Sequence, residues 1–383
     1  MFTKNITFKN FSLNKNNLRI KKDLNLFLKT NSELLKSLTT KYKYSYKKSL
    51  LKRYKNFSIL KIIGMGGSTL GTEAIFDFLK SKVKKKVIFI NNLNFTKNLN
   101  LKNTMNLVIS KSGNTLETIT NSNILIKKKQ KNLFITENRN SYINNLAKRL
   151  KSEVVTHNNF IGGRYSVLSE VGMLPAELIG LEEKKFKRLN YLIKNKKFIS
   201  ELTLNVSNTL SLMNQGRFNS IILNYDERSK NLFKWYQQLI AESLGKKAKG
   251  ILPFVSSMPK DNHSLMQLYL DGPKKNFFTF FYAHEKNSKK VNNKEVFASH
   301  NYIKYKDINK IMHSQKIATE KVFKTKKIPF RSFEIFNRNE ETLGELFCFF
   351  ILETILLGRA LKVNPFDQPS VELIKNETKK ILV

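Results

Sequence analysis

The chain of 383 residues carries 69 Lys and Arg against 29 Asp and Glu, a net charge of +40, with 41% hydrophobic residues. That length and apolar content suit two packed domains rather than one small core. A single cysteine, Cys348, excludes an intramolecular disulfide and a cysteine-built zinc site, and fits a reducing cytoplasm. The positive charge admits nucleic acid, an anionic membrane surface or a polyanionic partner. The lysines, however, fall in many short runs, among them Lys84 to Lys86 and Lys127 to Lys129, and no nucleic-acid motif accompanies them. A compositional bias toward Lys, Asn, Ile and Phe accounts for them, and no specific nucleic-acid partner is expected.

From Met1 to Tyr54 the chain is polar and basic with weak apolar spacing, and is read as a helical arm over residues 1–54. Met1 to Ile20 has no continuous apolar stretch of the kind a signal peptide needs. Phe57 to Ile63 is an apolar run predicting a buried strand, broken by Gly64-Met65-Gly66-Gly67-Ser68-Thr69-Leu70-Gly71 before a helix from Thr72 to Lys80. Lys86 to Ile90 is the next strand. Asn106 to Ile109 then leads into Ser110-Lys111-Ser112-Gly113-Asn114-Thr115 and a helix ending near Lys128. Strands at Leu133 to Thr136 and Glu153 to Thr156, with a helix at Tyr142 to Leu150 between them, complete a first α/β unit over residues 55–190. Gly162-Gly163-Arg164-Tyr165-Ser166 opens a helix ending near Leu178.

Lys184 to Asn205 reads as a helical connector. A second unit over residues 191–350 follows, with strands at Ser220 to Asn224, Ile251 to Val255, Asn276 to Tyr282 and Ile328 to Phe336. Its helices are Asn231 to Leu244, His263 to Leu270 and Asp307 to Phe323. Glu340 to Leu361 is a long buried helix; its most apolar part, Leu346 to Leu357, holds Glu353 and is too short and charged to span a bilayer. The last stretch, residues 351–383, closes on an amphipathic helix from Pro369 to Leu382. Strands alternating with helices at this spacing predict mainly parallel sheets with helices on both faces, and ligands in such folds bind beyond the carboxyl ends of the strands.

Two predicted loops lie at such ends. A glycine-rich turn lets backbone approach a ligand closely. The Ser110 to Thr115 run offers hydroxyls, one ammonium and free backbone N–H groups at a helix start, which together read as a phosphate cradle. On those residues alone an ordinary capped helix, with Thr115 or Asn114 as N-cap, is an equal reading. Glu242, His263, Arg164 and Lys375 are further candidates for chemistry, each on its own compatible with a solvated or capping side chain.

In order along the chain stand Gly66-Gly67-Ser68-x-Leu70-Gly71, Ser110-Lys111-Ser112-x-x-Thr115-x-Glu117-Thr118, Gly162-Gly163-Arg164-Tyr165-Ser166, Glu242-Ser243-x-Gly245-Lys246, His263-Ser264 and Asn364-Pro365-Phe366-Asp367-Gln368-Pro369-x-Val371-Glu372. From about Leu60 to the C-terminus the sequence resembles the glucose-6-phosphate isomerase family. The resemblance implies two sugar-isomerase (SIS) domains, a homodimer with active sites at the subunit interface, a cytoplasmic location, and no metal or organic cofactor. It implies that glucose 6-phosphate and fructose 6-phosphate are interconverted through ring opening and a cis-enediol. By the same resemblance Glu242 is the base between C1 and C2, and His263, from the neighbouring subunit, assists ring opening beside Lys375. Arg164 faces the enediolate. Ser110, Lys111, Ser112 and Thr115 hold the 6-phosphate, Gly67 and Ser68 line the sugar, and Glu117, Gln238 and Gln368 surround it. A non-catalytic SIS-fold sugar-phosphate-binding protein and an isomerase that also accepts mannose 6-phosphate are the alternatives.

The chemistry suits those residue types. Removing a proton beside a carbonyl needs a base within hydrogen-bond reach and fixed positive charge where negative charge develops. Ring opening needs a proton shuttle, for which imidazole is suited. The sequence departs from the family pattern at Ser112, where threonine is usual, at Asn262, where glutamine is common, and at Ser370 and Ile374, where glycines are usual.

Overall fold

The computed structural model describes residues 2–13, 18–54, 56–93 and 101–383. Among these residues, ten strands form two five-stranded sheets. The first has the order β3-β2-β4-β5-β6, built from β2 (Ile59–Gly64), β3 (Lys86–Ile90), β4 (Thr104–Ile109), β5 (Lys131–Thr136) and β6 (Glu153–Thr156), all parallel. The second has the order β1-β10-β9-β7-β8. Its strands β7 (Asn219–Asn224), β8 (Leu252–Ser257), β9 (Asn276–Ala283) and β10 (Phe330–Ile335) are parallel, and β1 (Ile6–Lys9) runs antiparallel to β10 with Phe8 opposite Phe333. The inner strands are continuous apolar runs because helices cover both faces.

The N-terminal part holds α1 (Leu18–Leu28), α2 (Glu33–Ser37) and α3 (Lys48–Arg53). In the first unit follow α4 (Leu70–Phe78), α5 (Leu116–Leu125), α6 (Tyr142–Arg149) and α7 (Glu170–Leu178); α8 (Leu189–Leu192) and α9 (Lys196–Asn214) make the connector. The second unit has α10 (Lys230–Leu244), α11 (Met266–Asp271) and α12 (Ile308–Thr325), then α13 (Glu340–Ala360) and α14 (Val371–Leu382). Asn339 caps α13 by accepting from Thr342 N–H at 2.9 Å, and Glu340 and Glu341 sit in its first turn, where the helix dipole favours them. No helix among the described residues is long and apolar enough to cross a membrane.

Buried along most of its length, α13 packs on α9 and α10. Among its buried carboxylates, Glu353 is fully paired: Arg331 bridges to it, Asn205 Nδ2 donates at 2.6 Å, and Tyr236 O–H donates at 3.4 Å. Arg331 also donates to Asn205 Oδ1 (2.8 Å) and Thr279 Oγ1 (2.9 Å), so a charged cluster lies inside the core with its polar atoms satisfied.

Three features differ from the sequence reading. The arm over 1–54 is not helical throughout, since Ile6–Lys9 joins the second sheet; four residues carry too little pattern to announce a strand whose partner lies over 300 residues away. The boundary at 350/351 falls inside α13, one unbroken helix. The helix expected from Gly162 is a 3-10 segment, Gly163–Leu168, followed by α7.

Candidate active site

β2 and β4 are neighbours, with Gly64 paired to Ile109 at their carboxyl ends, so the two loops singled out by sequence lie side by side. After β2 the chain makes a 3-10 turn, Gly66–Ser68, before α4. Gly67 packs against the 163–164 backbone so closely that a Cβ there would lie 2.3 Å from the Gly163 carbonyl carbon and 2.6 Å from Arg164 N. Only glycine fits, and the contact fixes where Arg164 begins. Ser68, next in the turn, is half-buried.

Arg164 is 2% exposed. Its Nε donates to Ser243 Oγ (2.8 Å), Nη1 to Glu242 Oε2 (3.1 Å) and Gln368 Oε1 (2.7 Å), and Nη2 to the carbonyls of Pro365 (2.8 Å) and Asp367 (2.9 Å). The guanidinium thus joins the 3-10 segment, α10 and the chain after α13. A lysine has neither the reach nor the fork to do this. Glu242, on the last turns of α10, keeps 30% of its side chain open; its Oε1 accepts from Gln238 Nε2 at 3.1 Å, one helical turn back. Gln238 Oε1 is buried without a hydrogen-bond partner among the described residues, an acceptor free for a ligand hydroxyl.

Several supporting residues escaped the sequence reading. Ser243 receives both Arg164 Nε and a hydroxyl contact from Tyr165 (2.9 Å); Tyr165 O–H also donates to Pro365 O (3.0 Å), and Trp235 Nε1 donates to Arg164 O (3.1 Å). Lys246, just beyond α10, pairs with Asp367 at 2.9 Å and bonds the Asn364 carbonyl, so the segment carrying Gln368 is pinned there; its hydrogen bond and charge hold the Asp367 carboxyl below the usual range. Ser243, Tyr165 and Lys246 stand inside the quoted motifs, and that adjacency was the available signal.

In the second loop, Ser110 is buried and its Oγ lies 3.2 Å from Thr115 Oγ1. Thr115 is the N-cap position of α5, but its side chain makes no capping hydrogen bond, so the plain capped-helix reading loses its main support. Gly113 has φ +67°, and a Cβ there would meet Ser141 Oγ at 2.1 Å, which closes the turn tightly. Ser112 Oγ accepts from Asn114 N–H at 3.2 Å. Lys111 Nζ donates to Asn159 O at 2.9 Å and lies 3.6 Å from Glu137, whose second oxygen pairs with Arg139. Behind this, His157 is buried, and desolvation drives its imidazole down to about 4, so it stays neutral beside Lys111. Glu117 is half-buried in the first turn of α5.

The structure therefore brings together Gly67, Ser68, Arg164, Gln238, Glu242 and Gln368, with Ser110, Lys111, Ser112, Thr115 and Glu117 on the adjoining loop. It does not bring His263 or Lys375 to them within one chain. His263 ends the exposed 3-10 turn Lys260–His263 after β8. Lys375 lies on exposed α14 in an ion pair with Glu372 (2.6 Å). Neither hydrogen-bonds to Arg164 or Glu242. Ile374 sits in ordinary helix, 70% exposed, and Ser370 has φ −66°, so neither position demands the glycine usual in the related motif.

The family described as Phosphoglucose isomerase matches residues 32–383 of the chain. The chain is 32% identical over 354 residues to the glucose-6-phosphate isomerase of Methanocaldococcus jannaschii, covering 86% of each protein. Among solved structures it resembles a hypothetical protein from Thermus thermophilus, with a TM-score of 0.82 and 21% identity over 96% of this chain and 94% of that one. It also resembles a glucose-6-phosphate isomerase from Chlamydia trachomatis, with a TM-score of 0.73 and 19% identity over 87% of this chain and 71% of that one. The fold is thus the SIS-type α/β arrangement of parallel sheets flanked by helices.

Proposed function

The chain belongs to the phosphoglucose isomerase family and catalyses the reversible isomerisation of glucose 6-phosphate and fructose 6-phosphate, and we propose that Glu242, Arg164, His263 and Lys375 carry that reaction. The observation that carries the assignment is the Arg164 guanidinium, which is buried yet bonded directly to a half-open carboxylate, Glu242.

The geometry and the chemistry of the reaction support these roles. The Glu242 carboxylate, 30% open and held between Arg164 and Gln238, takes the proton from one of C1 and C2 to the other. The fixed positive charge of Arg164 meets the negative charge that grows on the enediolate oxygens and needs no reorganisation to do so. Ser110, Lys111, Ser112 and Thr115 hold the 6-phosphate in a cradle at the start of α5, far enough from the reacting carbons that binding there is converted into orientation. Gly67, Ser68, Glu117, Gln238 and Gln368 line the sugar, the unpaired Gln238 Oε1 accepting a hydroxyl.

His263 and Lys375 stand apart from Glu242 in one chain, which supports a homodimer with shared sites in which His263 reaches the site of the neighbouring subunit for ring opening, beside Lys375. Exposed apolar residues on α14, including Leu373, Ile374 and Ile381, give a partner something to cover. We further read the chain as an N-terminal arm, two SIS domains divided near residue 190, and a C-terminal segment beginning within α13. A cytoplasmic location suits the lone unpaired Cys348.

The test is complementation. Glu242→Gln and His263→Ala are each inactive on fructose 6-phosphate in an assay coupled to glucose-6-phosphate dehydrogenase. Mixed after mild dissociation, they regain activity, because each mixed dimer keeps one site free of both changes. A fully active monomer in sedimentation, or no recovery on mixing, contradicts the shared site.

A further inference from the structure

At the carboxyl edge of the second sheet, away from the residues described so far, three potential ligand groups converge from three elements. His284 directly follows β9, Glu334 lies on β10, and His313 lies on α12. Their ligating atoms all lie within 4.8 Å of one another. His284 Nε2 is 3.1 Å from Glu334 Oε2, and His313 Nε2 is 3.7 Å from Glu334 Oε1. The second distance is too long for a hydrogen bond, and His313 Nε2 is buried with no hydrogen-bond partner among the described residues. A buried imidazole nitrogen left unpaired beside a carboxylate calls for an explanation.

The place is informative. Reading outward from β2 and β7, the two sheet orders correspond, so β9 occupies the place of β4 and α12 that of α5. The cluster therefore stands in the second sheet where the Ser110 to Thr115 loop stands in the first. Here the chain supplies His284-Glu285-Lys286 instead of hydroxyls and glycine, and the Glu334 carboxylate makes the position unsuited to an anion.

The donors are held in position before any ligand arrives. The backbone N–H of His284 extends the ladder to Ile335 O (2.8 Å), and its ring stacks on Phe336 with centroids 4.7 Å apart and planes at 9°. Tyr282 packs against both imidazoles, each at 4.9 Å, while its hydroxyl donates to Asn309 O (3.0 Å) at the start of α12. Asn309 Nδ2 returns to Glu285 O at 2.7 Å. Lys316 bonds Glu334 Oε1 and pairs with Glu320 at 2.8 Å, which orients the carboxylate and leaves Oε2 toward His284. One ammonium against two carboxylates leaves the immediate surroundings net negative.

We propose that His284, His313 and Glu334 bind one divalent transition-metal ion of the zinc class. Two imidazoles and one carboxylate are the donors such ions prefer, whereas calcium and magnesium take oxygen ligands. At ligand distances of about 2.1 Å, donor atoms spaced like His284 Nε2 and Glu334 Oε2 subtend roughly 95° at a shared ion, close to the octahedral value and below the tetrahedral one. Lys316 and Tyr282 act as outer supports that fix the ligands. The ion ties β9, β10 and α12 together and takes no part in the isomerisation.

The experiment uses the full-length protein, treated with chelator and desalted, and titrated with Zn²⁺ by calorimetry and with Co²⁺ by visible absorption. One ion per chain, a ligand-field band for Co²⁺ and a higher thermal midpoint with Zn²⁺ are expected. His284→Gln and His313→Gln each lower affinity at least tenfold, and His300→Gln, at an exposed histidine elsewhere, leaves it unchanged. Absence of stoichiometric binding at tens of micromolar Zn²⁺, or binding unaffected by His313→Gln, overturns the proposal. That variant decides the matter even if His284→Gln misfolds, because His313 Nε2 has no hydrogen bond to lose; far-UV circular dichroism checks its fold.

Discussion

Replacing Gly67 with alanine tests how the site is assembled. The added Cβ would lie 2.3, 2.5 and 2.6 Å from the Gly163 carbonyl carbon, the Gly163 oxygen and Arg164 N, all backbone atoms that cannot swing aside. Ordinary carbon contacts begin near about 3.5 Å, so the two turns must part by roughly 1 Å. Arg164 starts at that contact and ends on Glu242 and Gln368, so the parting moves the guanidinium relative to the Glu242 carboxylate. A displacement of that size costs about 100-fold in rate, equivalent to about 2.7 kcal/mol of barrier. Overpacking also lowers stability by about 1–3 kcal/mol. The assay is kcat for fructose 6-phosphate at a temperature where circular dichroism shows the variant folded. Gly162→Ala is the control, since a Cβ there meets only Tyr165 Cδ2 at an ordinary 3.6 Å, and it should stay within a few-fold of native. A folded Gly67→Ala protein with kcat within threefold of native would refute the reasoning.

Other outcomes follow from the same geometry. Lys111→Ala should weaken binding of a non-isomerisable hexitol 6-phosphate by about 10- to 100-fold, the worth of a charge-assisted hydrogen bond, read as an inhibition constant; an unchanged constant counts against the cradle. Arg331→Met leaves Glu353 buried without its cation and should cost about 3–5 kcal/mol in urea unfolding, whereas a loss below 1 kcal/mol would mean that the pair is not closed as described. His157 sits at about 4 when folded and near its ordinary value when unfolded. Between those values the unfolded chain binds the extra proton, so stability rises with pH through that window and is lost as pH falls toward 4, by about 3 kcal/mol in all. His157→Gln should flatten that dependence in acid unfolding curves, and an unaltered slope would show that the imidazole is not the group responsible.

Much of this was legible in the sequence because the first sheet announces itself locally. Lys86–Ile90 and Glu153–Thr156 fall where their apolar runs put them, and the inner strands of both sheets lie within two residues of expectation. What the sequence withheld depends on distant partners. Ile6–Lys9 is a strand only because β10 lies beside it, and no periodicity in four residues encodes that. Glu353 reads as an interruption in an apolar helix until Arg331, Asn205 and Tyr236 close around it. Arg164 was visible as a motif residue, but its five donors being shared between Ser243, Glu242, Gln368 and two carbonyls was not. The His284, His313 and Glu334 cluster left no trace in sequence at all, since its members are spaced irregularly over fifty residues and meet only at the edge of a sheet.

The central claim is that the Glu242 carboxylate, held by Arg164, moves the proton between C1 and C2. The most direct measurement follows fructose 6-phosphate in D₂O by NMR with native protein and with Glu242→Gln, alongside binding of the hexitol phosphate to both. The account predicts glucose 6-phosphate carrying deuterium at C2 from the native enzyme, and from the variant neither product nor exchange, with hexitol phosphate affinity kept within a few-fold. A Glu242→Gln protein that isomerises or exchanges at the native rate would contradict it.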